Sequence, residues 1–149
     1  MRSIKYILIN ETPVQNPSDV RSRRPQPLFG YHFCVNSEGL TVPLVDIHQP
    51  VNLIEGPIYD PDKFNRCSIT IRYCGSLRLE SWLMEPETSC KTMLQQRQAL
   101  LDLLVELRKH FPDAKILGLS ELKPKESHAR NIIVSDTMNQ LRRELSDLP

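Results

Sequence analysis

The chain has 149 residues, of which 40% are hydrophobic and 25% charged, and its formal net charge is +1. This length suits one ordinary domain, large enough to bury a continuous core without disulfides or metal ions. We therefore expect residues 1–149 to form a single domain. A nearly neutral chain has no overall field that attracts nucleic acid or anionic lipid, so we expect neither a nucleic-acid nor a membrane partner.

The amino-terminal segment MRSIKYILIN contains basic residues and then an apolar run of only about four residues. A signal peptide needs roughly 7–15 apolar residues, and a membrane-spanning helix about 20. We expect the chain as given to be cytoplasmic, or to be exported by a route other than a leader of its own.

Three strand regions are predicted in the first half of the chain. Residues 4–9 form an aliphatic run that is typical of a buried strand. Residues 31–35 and 40–47 flank an Asn-Ser-Glu-Gly turn, and Gly39 can supply a positive φ there, so the pair is predicted to be a hairpin. Residues 68–74 alternate apolar and polar side chains, which predicts a further strand. The proline-bearing segments 10–29 and 48–65 are predicted to be loops.

The second half is dominated by a long amphipathic helix, predicted over residues 92–110 and closed by Pro112. Its apolar stripe consists of Leu100, Leu104, Leu107 and Phe111, widened by Leu94, Leu101 and Val105. Residues 115–119 are predicted to be a short strand. Ser135 is the predicted cap of a final helix, whose apolar face carries Met138, Leu141 and Leu145.

The order of these elements defines a fold class. It runs strand, loop, hairpin, strand, long helix, strand and terminal helix. We therefore predict an α/β fold in which a mixed central sheet is packed against the long amphipathic helix and the carboxyl-terminal helix.

An ordered set of short motifs resembles a known family. The set is Gly30-Tyr31-His32-Phe33, Glu38-Gly39 in the hairpin, Asn65, Ser68-Ile69, Tyr73-Cys74-Gly75 and the stretch ALLDLLVELRKHFPDAKILG. From Ile4 to about Leu145 the chain is similar to the type 2 N-acetylmuramoyl-L-alanine amidases. The resemblance implies the fold shared by phage lysozyme-type amidases and peptidoglycan recognition proteins. It also implies zinc-dependent cleavage between muramic acid and the first alanine of the peptide.

The same resemblance shows where the chain departs from the family. The first zinc ligand of the family is a histidine after the first strand, and Asn10 stands there. The second is the histidine of a Gly-His pair, and here the pair is Gly118-Leu119; the third is a cysteine or aspartate, matched by Ile132. A catalytic zinc needs three protein donors and an open position. We therefore expect no zinc and no other cofactor.

Two further residues match accessory positions of the family. Tyr31 corresponds to a tyrosine beside the zinc, and Arg130 to a position often held by lysine, where it would stabilise an oxyanion or hold a carboxylate. Asn65, from the motif set above, is assigned to ligand binding. Residues 13–28 contain too many prolines for the helix that flanks the family's substrate groove.

Other chemistries remain open at this stage. His32 and Cys34 are two apart on a predicted strand and are candidates for a thiolate nucleophile and its base. A relocated metal site could use His128 and His48 with Glu121 or Glu126. The four cysteines, Cys34, Cys67, Cys74 and Cys90, show no metal-binding spacing, and we expect them to be buried free thiols.

Two functional hypotheses follow. The first is a non-catalytic pseudoenzyme with an amidase-like domain, which binds a peptidoglycan fragment or a protein. A sugar-peptide would suit Tyr31, Asn65 and Arg130, whereas the cluster of Arg21, Arg23 and Arg24 would suit an acidic protein surface. The alternative is an active peptidoglycan amidase with a relocated or rebuilt metal site.

Overall fold

The computed structural model describes residues 3–12, 30–51, 61–78, 87–122 and 128–148. The strands are β1 (Tyr6–Glu11), β2 (Phe33–Val35), β3 (Thr41–Pro43), β4 (Ser68–Tyr73) and β5 (Lys115–Gly118). The helices are α1 (Pro61–Arg66), α2 (Glu87–His110) and α3 (His128–Asp147), and a 3-10 helix (Leu119–Leu122) follows β5 directly.

The strands form one five-stranded sheet in the order β3-β2-β4-β1-β5. β1 pairs in parallel with β4 and with β5, and β2 pairs in parallel with β4. β2 and β3 form the predicted antiparallel hairpin, and Gly39 in its turn has a φ of 83°. The prediction of an α/β fold with a mixed central sheet is therefore confirmed.

One face of the sheet packs against α2 and α3. Alternate strand residues meet the helices in a single apolar core, formed by Ile7, Ile9, Val35, Ile69, Ile71 and Tyr73 from the strands, Leu100, Leu101, Leu104 and Leu107 from α2, and Met138, Leu141 and Leu145 from α3. The predicted apolar stripe of α2 is correct except at Leu94, which is 56% exposed. Within the described ranges, no helix has the length and apolarity needed to cross a bilayer.

An ion pair between a buried arginine and a partly exposed glutamate links the two helices. Arg97 on α2 donates from Nε to Glu144 Oε2 on α3 at 2.9 Å, and from Nη1 to the carbonyl of Leu77 at 3.0 Å. The Arg97 side chain is only 5% exposed, so these bonds act in a poorly solvated environment. Removal of Glu144 would leave the buried charge of Arg97 without its partner, which would lower the stability of the fold.

Several predicted boundaries were wrong. α2 begins at residue 87 rather than 92, and α3 begins at His128, so Ser135 lies inside the helix and does not cap it. The β-branched residues 132–134 lower helix propensity, yet α3 includes them. The predicted loop 48–65 contains part of α1, a short helix that starts at Pro61, the position where proline favours a helix start.

A substitution on α2 tests this core. Leu104 is fully buried, so Leu104→Ala should lower the free energy of unfolding by about 3 kcal/mol, through lost apolar contact and the cavity that remains. The matched control is Leu94→Ala on the same helix, where a change within about 0.5 kcal/mol is expected. Urea denaturation measures both, and equal losses would contradict this packing.

Candidate functional site

Four residues stand side by side where the parallel strands end. Asn10 lies opposite Arg72, and Arg72 lies opposite Cys34 on its other side. Ile9 lies opposite Gly118, so the residues that follow them, Asn10 and Leu119, lie at the same position along the strand direction. We call Leu119, Asn10, Arg72 and Cys34 the edge row.

The edge row is set apart from the core by strand alternation. Its members on β1, β4 and β2 each neighbour a core residue that points toward the helices, namely Ile9, Ile71 and Val35. Because successive side chains of a strand point to opposite faces, Asn10, Arg72 and Cys34 point away from α2 and α3. We call the side of the sheet that bears Asn10 and Arg72 the polar face; Leu8 of β1 lies on the same side and is fully buried.

Asn10 and Tyr31 come together in space. The Nδ2 of Asn10 donates a hydrogen bond to the Tyr31 hydroxyl at 2.6 Å. Tyr31 is only 5% exposed, and Asn10 is half-buried. The structure thus joins a position matched to a zinc ligand with a position matched to the accessory tyrosine.

The backbone at Leu119 is fixed by an ion pair. The Glu121 carboxylate accepts the Gly118 N–H at 2.9 Å and two bonds from the Arg142 guanidinium, at 3.0 and 3.2 Å. A Cβ atom on Gly118 would lie 3.0 Å from Cγ of Met138, so glycine allows α3 to pack directly on the end of β5. Leu119 itself is half-buried beside β1, where the 3-10 helix begins.

The residues at this edge do not fit a catalytic zinc. The Asn10 amide is held by Tyr31, and the Leu119 side chain has no lone pair to donate. In the described ranges, no group of three or more His, Cys, Asp or Glu residues is placed to hold a metal ion. The third matched position, Ile132, lies on α3, and its side chain is outside the described part.

The described residues include two of the donors considered for a relocated metal site, His48 and Glu121. His48 is exposed and directly precedes Gln49, whose carbonyl binds His32 just before β2, whereas Glu121 follows β5. Glu121 is also held by Arg142. The side chain of His128 and all of Glu126 lie outside the described residues.

Of the remaining predicted binding residues, only Asn65 has a described side chain. Asn65 is the penultimate residue of α1 and is 6% exposed. Arg130 lies near the start of α3 rather than in the predicted loop, and its side chain is not described. The cluster of Arg21, Arg23 and Arg24 falls outside the described residues, as does the predicted loop 13–28.

His32 is a structural histidine and does not pair with Cys34. Its Nδ1 accepts the Thr70 backbone N–H at 3.0 Å, so the ring proton is on Nε2, which donates to the carbonyl of Gln49 at 2.7 Å. Because both ring nitrogens are used in this way and the residue is fully buried, the proposed thiolate and base pair is not formed.

Instead, Cys34 contacts Cys74. Their Sγ atoms are 3.5 Å apart, and both thiols are free. Cys34 is buried as expected, whereas Cys74 is half-buried. A hydrogen bond from Cys34 lowers the pKa of Cys74 to about 6, with the Arg72 guanidinium and Thr12 acting in the same direction. The bond to Cys74 raises the pKa of Cys34.

Sequence reasoning missed both this thiol pair and Arg72. Alternation along residues 68–74 does place Arg72 and Cys74 on one face. The partner strand and its register with β2 are long-range features that the local pattern does not contain. Arg72 is half-buried, and its Nε donates to Thr12 Oγ1 at 3.0 Å.

The comparisons with known proteins support the fold. No model of a known protein family matches the chain, and a search of curated proteins finds no significant match. Among solved structures, the chain is similar to the N-acetylmuramoyl-L-alanine amidase LysC from Clostridium intestinale URNW, with a TM-score of 0.54 and 15% identity. The alignment covers 94% of this chain and 87% of LysC. The protein therefore has an amidase-like fold.

The bond between Asn10 and Tyr31 can be tested by a double-mutant cycle. Tyr31→Phe removes the acceptor of the Asn10 amide, and Asn10→Ala removes the donor. We expect a coupling energy of about 1 kcal/mol from urea denaturation of the two single variants and the double variant. Tyr31→Phe combined with Leu94→Ala, at an exposed position, should be additive. A coupling near zero in the first cycle would contradict this contact.

Proposed function

We propose that this protein is a non-catalytic amidase-like domain that binds a peptidoglycan fragment at the polar face of its sheet. One observation carries the proposal. Asn10 and Leu119 lie side by side at the carboxyl edge, and these positions match two of the three zinc ligands in the amidases that the sequence resembles. Neither residue supplies the donor that such a site requires.

Loss of these donors removes the basis of the family's chemistry. A zinc-dependent hydrolase uses its metal to acidify a bound water and to polarise the carbonyl under attack. The amide of Asn10 is a poor zinc ligand, and its nitrogen is already bonded to Tyr31. No observation favours an active amidase with a relocated site, because Glu121, one of its candidate donors, is paired with Arg142.

The ligand class follows from the groups on the polar face. Arg72 places a cation in the middle of the edge row, between Asn10 and Cys34. Stem peptides of peptidoglycan carry carboxylates, and a guanidinium binds a carboxylate through charge-assisted hydrogen bonds. The amidase-like fold shared with LysC, an N-acetylmuramoyl-L-alanine amidase by name, supports the same ligand class.

Metal content and cleavage test the absence of catalysis. The purified protein should contain far less than one zinc per chain and should release no soluble muropeptide from purified cell walls. Plasma emission spectrometry measures the metal, and chromatography of the supernatant measures the product, with an active amidase as the positive control. One zinc per chain together with cleavage would overturn the proposal.

Binding has its own test. Isothermal titration with a soluble muropeptide should give saturable binding, and Arg72→Ala should weaken it about tenfold, because a hydrogen bond to a charged group contributes roughly 1.5–3 kcal/mol. The matched control is Arg143→Ala, which removes an exposed arginine from α3. Failure of the muropeptide to bind, or equal losses in both variants, would contradict the proposed ligand, and capture of a protein instead would replace it.

Restoring the matched donors tests the assignment of positions. The triple variant Asn10→His, Leu119→His, Ile132→Cys should gain zinc affinity, because three donors would then surround one open position. The double variant without Leu119→His is the control and should bind zinc more weakly. A folded triple variant with no more zinc than the wild type would show that these three positions do not converge.

A further inference from the structure

Two free thiols, those of Cys34 and Cys74, are in contact and have no part in the proposed binding of peptidoglycan. Cys34 is on β2, and Cys74 follows the last residue of β4, so the two thiols belong to neighbouring parallel strands. Forty residues separate them in sequence, yet their Sγ atoms are 3.5 Å apart. A disulfide bond is about 2.05 Å long, so the two sulfur atoms lie roughly 1.5 Å further apart than in a disulfide.

The main chain holds the pair in place. The Cys74 N–H donates to the carbonyl of Val35 at 3.0 Å. Gln96 on α2 donates from its Nε2 to the carbonyls of Cys74 and Asn36, at 2.8 and 3.0 Å. A Cβ atom on Gly75 would lie 2.5 Å from Gln96 Oε1, so glycine leaves space for this amide. These hydrogen bonds hold the ends of β2 and β4 together next to the two thiols.

The environment separates the roles of the two sulfurs. Cys74 is half-buried, whereas Cys34 is only 7% exposed, so an external reagent reaches Cys74 first. The hydrogen bond from Cys34 and the Arg72 guanidinium lower the pKa of Cys74, so Cys74 is the more readily ionised of the two thiols. A thiolate is the attacking species in thiol–disulfide exchange.

We propose that Cys34 and Cys74 are a redox modification site, which forms an intramolecular disulfide by exchange with an external disulfide of the glutathione class. Cys74 is the attacking residue and Cys34 the resolving residue. The proposal rests on the geometry of the two strands and is independent of whether the edge row binds peptidoglycan.

The exchange balances in two steps. The Cys74 thiolate attacks one sulfur of the external disulfide, whose S–S bond breaks and releases one external thiolate. That thiolate takes the proton of Cys34, and the Cys34 thiolate then attacks Cys74 Sγ and expels the second external thiolate. Two electrons pass from the protein sulfurs to the external disulfide, which is reduced to two thiol equivalents. The main cause of the raised pKa of Cys34, its bond to Cys74, is removed by the first step.

Mass spectrometry after incubation with oxidised glutathione tests the proposal. The wild type, quenched with an alkylating reagent, should lose two hydrogens and carry no lasting glutathione adduct. Trypsin cleaves after Arg66, Arg72 and Arg78, so Cys34, Cys67 and Cys74 fall on three separate peptides. The expected crosslink joins the Cys34 and Cys74 peptides, and a crosslink to Cys67 would overturn the assignment.

Variants separate the attacking thiol from the resolving one. Cys34→Ser should accumulate a stable glutathione adduct on Cys74, whereas Cys67→Ser should form the disulfide as the wild type does. In the wild type, initial labelling by iodoacetamide at neutral pH should be at least about tenfold faster at Cys74 than at Cys67, which is buried. A wild type that stays reduced, or that keeps the adduct without closing the disulfide, would refute the proposal whether or not the variants fold.

Discussion

The parallel pairing of β1 with β4 on one side and β5 on the other is the constraint on which the rest of the molecule depends. These three strands come from the beginning, middle and later part of the chain, so their pairing closes the longest loops and organises the sheet. Because parallel strands end at a common edge, the same pairing brings Asn10 and Leu119 to one level. Arg72 joins them there through its register with Asn10.

Strand alternation then separates the side chains of the sheet onto two faces. Ile7, Ile9, Ile69 and Ile71 join the core beneath α2 and α3, and this face supplies the apolar burial that stabilises the fold. The opposite face carries hydrogen-bonding and titratable groups, including Arg72 and Cys74, whose properties depend on their neighbours rather than on the core. Polar groups on this face can therefore change with little loss of core packing, which accords with a fold similar to that of LysC at only 15% identity.

The sequence allowed prediction of features that depend on local pattern. The long helix α2, the hairpin with its positive-φ Gly39 and the α/β class all follow from periodicity and turn chemistry, and all are confirmed. The start of α3 was wrong because β-branched residues 132–134 weaken the helical signal, and α1 was missed because six residues show little period. The thiol pair was beyond reach because it depends on the register of β2 with β4, which is fixed only in the folded sheet.

The groups at the carboxyl edge also form a self-consistent structure without a metal ion. Three unligated metal donors held close together would leave polar atoms that need partners, and an unpaired buried polar group costs roughly 1–3 kcal/mol. Here the Asn10 amide and the Tyr31 hydroxyl bond to each other, and Glu121 is paired with Arg142 while it binds the Gly118 N–H. Leu119 requires no partner, because its side chain has no polar atom. The edge is therefore stabilised by contacts within the chain, and a ligand at the polar face would bind to a surface that is already ordered.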